Sequence, residues 1–218
     1  MIKRFFKIVL PNFYFRKWGG FRFDSLFNMM LDSRLVIIAA WLAAVIFWLV
    51  GTIKTKATVR RQTLSSRLLE IAPLVLGIVL LRTDRTLFHL MAVRFVPATA
   101  GWQMVGAGIT VAGVAVAIWS RYFLGQNWSA TVTVKQEHEL IRTGPYSVVR
   151  HPIYSGFLLA ILGTAIYDGE YKGLLALVLV SVAWKIKSLH EEAFMQSEFG
   201  DDYTQYKREV KGLVPFVW

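Results

Sequence analysis

Apolar residues along this chain fall in long blocks separated by short charged stretches. Residues 35–53, LVIIAAWLAAVIFWLVGTI, carry no charge. At about 1.5 Å rise per residue they reach across a hydrocarbon layer of roughly 30 Å, which predicts a membrane-spanning helix. Residues 101–120, GWQMVGAGITVAGVAVAIWS, are also uncharged and predict a second span. They set Gly101, Gly106, Gly108 and Gly113 among alanine and valine, a composition that lets neighbouring backbones approach closely. Residues 68–81 are bounded by Arg67 and Arg82 and interrupted by Glu70 and Pro73, so they predict a shorter span that tilts or relies on snorkelling ends. Residues 153–167 and 171–184 are two further apolar blocks joined by Asp168-Gly169-Glu170, the pattern of a helical hairpin. The fold class read from this pattern is all-α, a polytopic membrane protein of about five transmembrane helices.

The pattern also divides the chain. Residues 1–34 alternate Phe, Tyr and Trp with Lys and Arg and read as a basic, aromatic interfacial segment. Lys7, Pro11 and Asn12 break the apolar stretch there and no small-residue cleavage site follows, so a signal peptide is not expected. Residues 35–100 hold the N-terminal spans. Residues 101–218 form the remaining unit: a span, the polar insert 121–152, the hairpin 153–184 and the tail 185–218.

Composition agrees with a lipid solvent, since 55% of residues are hydrophobic and 18% charged. Lys and Arg number 25 against 14 Asp and Glu, and the excess is concentrated before residue 137. Because these cations sit between apolar blocks, they point to an anionic membrane surface and not to nucleic acid. With no cysteine there is no disulfide, zinc thiolate or thiolate nucleophile. His89 and His190 lack partners at ligand spacing, so no metal is expected. Trp41, Trp48, Trp102, Trp119 and Trp184 read as packing and interface anchors.

The insert RYFLGQNWSATVTVKQEHELIRTGPYSVVRHP is the only long polar stretch between spans. Irregular backbone beside lipid is usually functional, because unpaired amides there cost several kcal/mol each. TVTVKQEHEL alternates as a short extended piece does, and Thr143-Gly144-Pro145-Tyr146 is a turn signal. Pro152 suits the first position of a helix, which puts His151 at a helix start with free amides and positive dipole, suited to an anion. Arg150 adds charge there and Tyr154 a hydroxyl. The tail supplies the opposite sign, with Lys187 and Glu191 four apart on one helical face, Glu192 beside them and Gly200 as a helix stop. An anion-binding helix end facing a carboxylate-bearing helix can grip a zwitterion such as an amino acid from both ends.

GPYSVVRHPIYSG resembles the Gly-Pro-Tyr, Arg-His-Pro, Tyr-x-Gly signature of the isoprenylcysteine carboxyl methyltransferases and of related phospholipid methyltransferases, and EEAFMQSEFGDDYTQYKREVKGLVPF is similar to that family's tail. The resemblance covers about residues 101–218. It implies S-adenosyl-L-methionine held in a cytosolic pocket between insert and tail. His138, Glu139 and Leu140 would offer backbone groups to the adenosine, Gly144 and Tyr146 would shape the turn over it, and Tyr154 would join them. His151 would meet the methionine carboxylate and Glu191 its ammonium. Lys187, Glu192 and Arg150 would serve the catalytic side. Lys187 stands where the family typically has arginine, keeping the charge without the bidentate fork. The implied activity is methyl transfer to a lipid-like acceptor in the membrane, foremost the carboxylate of a prenylated cysteine or an analogue. N-methylation of an ethanolamine phospholipid, with Glu192 or His151 taking the amine proton, is the alternative. A nicotinamide-dependent sterol reductase and a non-catalytic lipid- or cofactor-binding protein are more distant ones.

Overall fold

A computed structural model describes residues 23–51, 58–61, 93–125, 128, 133–135 and 139–213, together with 68, 72, 75–77 and 79. The elements in chain order are α1 (Phe23–Gly51), β1 (Thr58–Arg61), α2 (Ala100–Leu124), β2 (Thr133–Lys135), a 3-10 turn (Gly144–Ser147), α3 (Pro152–Asp168) and α4 (Tyr171–Glu209). Among the described residues three helices are long and apolar enough to cross a membrane, Ser33–Gly51 within α1, α2 and α4, and α3 is a shorter apolar helix. Within 68–81 the described residues are all helical. Gly77 there packs on α4, where a Cβ would stand 2.8 Å from Val180 Cγ2.

The molecule is arranged for lipid. Large apolar side chains such as Leu42, Ile46, Leu49 and Val105 face outward, while Thr110, Ser120 and Arg121 are buried. Ala44 of α1, Val114 of α2 and Ala160 of α3 form a core that Trp41, Ile118 and Phe157 cover. The closest packing is α2 against α3. A Cβ added at Gly156 would lie 2.6 Å from Ala117 N, and one at Gly163 would lie 2.6 Å from Gly106 O. Gly106 and Gly113 of α2 face the same seam, whereas Gly101 and Gly108 have nothing within 4 Å. Half of the glycine expectation therefore describes this contact, and the period of seven residues explains why: only one face of α2 meets α3. Thr110 seals the seam, its hydroxyl 2.9 Å from Gly106 O and 3.3 Å from Thr164 Oγ1, which in turn accepts Trp41 Nε1 at 3.1 Å.

Two departures from the sequence pattern stand out. Helix α1 starts at Phe23, not at Leu35, because FDSLFNMMLDSR holds no glycine or proline to stop it. An antiparallel ribbon, with Thr58 opposite Lys135 and Arg61 opposite Thr133, pairs the extended piece expected in TVTVKQEHEL with the exit of α1, a partner the sequence pattern does not name. At the opposite end the segment before α2 pairs with the turn between α3 and α4, Phe95 N donating to Gly169 O at 2.9 Å and Tyr171 N to Val93 O at 3.1 Å. Gly51, Arg121, Gly144, His151 and Glu191 consequently gather at one end of the helices.

Candidate active site

The site begins at the turn. Gly144 has φ +60°, a conformation that side chains rarely adopt, and a Cβ there would meet the Phe123 ring within 2.6 Å of Cδ1. Tyr146 is buried, and its carbonyl accepts the Tyr206 hydroxyl at 2.6 Å. From there the chain runs into α3 beneath the returning tail, with Arg150 N donating to Lys211 O at 2.8 Å and His151 N to Gly212 O at 3.0 Å. The tail thus occupies one amide that the sequence leaves open at the helix start. His151 is the N-cap and Pro152 the first helical residue.

Past the apolar part of α4, Glu191 and Glu192 meet this helix start. Glu192 Oε1 accepts Arg150 Nη2 at 2.7 Å and Nε at 3.1 Å and lies 3.2 Å from His151 Nε2, while Oε2 pairs with Lys207 at 3.2 Å. Arg150 Nη1 also donates to the carbonyls of Lys207 and Val210. Glu191 accepts the Tyr154 hydroxyl at 2.6 Å on Oε1 and stands 3.4 Å from His151 Nδ1 through Oε2. The two carboxylates differ in access, the Glu191 side chain being 25% exposed and that of Glu192 9%. Burial opposes a charge on His151, but the carboxylates of Glu191 and Glu192 outweigh it and hold its pKa above the ordinary imidazole value.

A continuous series of rings backs this cluster. His151 stacks on Tyr154 (centroids 5.6 Å apart), Tyr154 on Trp184 (5.4 Å), Trp184 meets Phe157 (5.9 Å) and Phe157 meets Trp48 (4.9 Å). Lys187 Nζ lies 5.6 Å from the centre of the Tyr154 ring, a cation–π distance. Gly200 at φ +51° breaks the helical path of α4, so the segment bearing Tyr203, Tyr206 and Lys207 turns back toward the cluster.

Comparisons with known proteins follow the same segment. Residues 102–202 match the phospholipid methyltransferase family. A protein-S-isoprenylcysteine O-methyltransferase of Schizosaccharomyces pombe is 39% identical over 98 residues, 43% of this chain and 41% of that protein. Protein-S-isoprenylcysteine O-methyltransferase B of Arabidopsis thaliana is 31% identical over 98 residues, 43% of this chain and 49% of its own. Over that region the chain is similar to phospholipid methyltransferases and to protein-S-isoprenylcysteine O-methyltransferases. It spans less than half the length of either of those two relatives. A solved structure of the eukaryotic intramembrane Ras methyltransferase aligns with a TM-score of 0.47 at 20% identity, over 67% of this chain and 52% of that one.

The residues that the family signature singles out are found in three situations. Arg150, His151, Tyr154, Glu191 and Glu192 form one bonded cluster, with Lys187 over the Tyr154 ring. Gly144 and Tyr146 shape the adjoining turn, and Leu140 is half-buried in the run that leads to it. His138 lies outside the described residues. The sequence places His151 and Glu191 at opposite ends of a bound zwitterion, whereas here they face each other as a pair, because the helix start and the carboxylate helix converge directly. Arg150 is the other surprise. Its fork is spent on Glu192 and two tail carbonyls, which makes it a positioning group for Glu192 and the tail. Sequence reasoning passed over Lys207, which reads as part of a solvated charge run, and left Trp184 as a packing residue although it stacks on Tyr154.

Proposed function

We propose that this chain is an integral-membrane methyltransferase that uses S-adenosyl-L-methionine to esterify the carboxylate of a prenylated cysteine or an analogue. The cofactor-side residues fit a zwitterionic amino acid. Glu191 is the accessible carboxylate for an ammonium, and His151, at the helix start with its pKa raised, is the matching donor for a carboxylate. Tyr154 and Tyr146 would complete the pocket with the turn at Gly144, and Leu140 and His138 would serve the adenosine part. When bound, the cofactor supplies an electrophilic methyl group. The site would face the cytosol, from which the cofactor enters, while an apolar acceptor chain enters sideways from the bilayer.

The observation that carries the choice of acceptor is the engagement of Glu192. Both its oxygens are engaged, by Arg150 and His151 on one and by Lys207 on the other, so it is a fixed counter-charge and not a base awaiting a proton. A carboxylate nucleophile needs no base, only alignment and exclusion of water. Lys187 provides positive charge for it beside the Tyr154 ring. An ethanolamine amine must lose a proton first. That second reading is favoured by the family description over residues 102–202. Titration calorimetry on the purified protein in detergent tests the cofactor: S-adenosylhomocysteine binding is expected and NADPH binding is not. A folded protein that binds NADPH and not S-adenosylhomocysteine contradicts the proposal.

A further inference from the structure

Arg121 stands outside the charged cluster, where the end of α2 meets the end of α1. It is 5% exposed. Nη1 donates to Gly125 O at 2.7 Å, Nη2 to Gly51 O at 3.0 Å, and the guanidinium lies 4.4 Å from the centre of the Trp128 ring. Its Nε is buried and finds no acceptor among the described residues, and no carboxylate there pairs with it. A buried cation costs several kcal/mol unless it is compensated. Two helix-end carbonyls contribute only the partial negative charge of helix C-termini. The arrangement therefore leaves one N–H and much of one positive charge without a counterpart.

Arg121 also adjoins the candidate site. Phe123, two residues on, lies against Gly144 of the turn. The Tyr146 hydroxyl is within electrostatic reach of both Arg121 and Glu191. Rings continue the link, since Trp128 meets Trp48 edge-on at 6.5 Å and Trp48 meets Phe157 at 4.9 Å, the inner end of the series that reaches Tyr154. Within the cluster itself Arg150 and Lys207 are committed to Glu192, and His151 stands between two carboxylates. An acceptor with two anionic oxygens has one for Lys187, beside the Tyr154 ring, and one for a further cationic contact.

We propose that Arg121 is that contact: its Nε–H binds an anionic oxygen of the lipid acceptor, a carboxylate or a phosphate, on the α2 side of the site. The inference rests on the methyltransferase reading above and adds a residue and a headgroup chemistry to it. It also gives a role to α1, all of which lies outside the family match, because Gly51 O and Trp48 set where the guanidinium stands.

The test uses full-length protein in detergent and three variants, R121K, R121Q and R121A. N-acetyl-S-farnesylcysteine is compared with its carboxamide, and dioleoylphosphatidic acid with dioleoylglycerol, by fluorescence titration. S-adenosylhomocysteine affinity and melting temperature are measured alongside. R121K keeps the charge and a carbonyl contact but lacks Nε, so it separates ligand binding from folding. Expected is a preference of tenfold or more for one anionic probe in the wild type, about 1.4 kcal/mol, which collapses toward unity in R121K and R121Q while S-adenosylhomocysteine affinity stays within twofold. Collapse for the farnesyl acid assigns a carboxylate, and collapse for the phosphatidic acid assigns a phosphate. Wild-type preference retained by R121K, or no anionic preference in the wild type, overturns the inference while leaving a cofactor-binding enzyme intact. Absence of S-adenosylhomocysteine binding in the wild type defeats the methyltransferase reading and this inference with it.

Discussion

His151 is held between Glu191 and Glu192, and that single placement fixes what titration of the site does. Its pKa is raised on folding, so the stability it contributes is fully present below its unfolded value of about 6.5 and is lost as pH rises through the higher folded value. The melting temperature of the wild type in detergent is expected to fall between pH 6 and pH 9 by more than that of His151→Gln, and equal slopes contradict the assignment. Glu191 is the more accessible partner. Removing a charge-assisted contact of this kind costs on the order of 1.5 to 3 kcal/mol, so Glu191→Ala and His151→Ala should each weaken S-adenosylhomocysteine binding by roughly tenfold or more in calorimetry. Unchanged binding in stable variants would show that this pair does not grip the cofactor. At Lys187 the expected result divides the acceptors. For a carboxylate, Lys187→Arg retains or raises turnover and Lys187→Ala loses most of it, whereas an amine acceptor tolerates the loss of this cation.

The seam between α2 and α3 is a matter of elements. Gly106, Gly113, Gly156 and Gly163 let the two backbones touch, and a side chain at any of them meets main chain, which cannot swing aside. Gly113→Val is therefore expected to destabilise the protein by about 1 to 3 kcal/mol, read as early thermal unfolding in detergent, while Gly108→Val on the open face is neutral. Similar melting temperatures for the two variants would contradict the packing. The element scale also shows what the sequence could and could not say. Uncharged blocks located α1, α2, α3 and the apolar part of α4, and Pro152 located the helix start at His151, because membrane spans and helix caps are written in local composition. The backward start of α1 at Phe23 was not legible, since a polar turn continuing a span leaves no breaker to mark its end. Nor was the pairing of the extended piece at β2 with β1, which lies more than seventy residues away.

Across the whole molecule the charged groups of the candidate site collect at one end. Arg150, His151, Glu191, Glu192 and Lys207 are there, with Arg121 and Gly51 beyond Tyr146. The motifs named the first four of these because residue type and order were enough. They could not show that the cluster neutralises itself, since Lys207 reaches Glu192 only after the turn at Gly200 brings the tail back. Nor could they single out Arg121, which closes an apolar block as any interfacial arginine does. Placing this machinery at the end of membrane-spanning helices fits the proposed acceptor, one with an apolar chain and an anionic head. The measurement that bears on this most directly is transfer of a radiolabelled methyl group from S-adenosyl-L-methionine by the purified, reconstituted protein. N-acetyl-S-farnesylcysteine and phosphatidylethanolamine would be offered side by side. Label is expected in a base-labile ester of the farnesylcysteine and not in the phospholipid amine. Label in the amine alone, at a rate unharmed by Lys187→Ala, would contradict it.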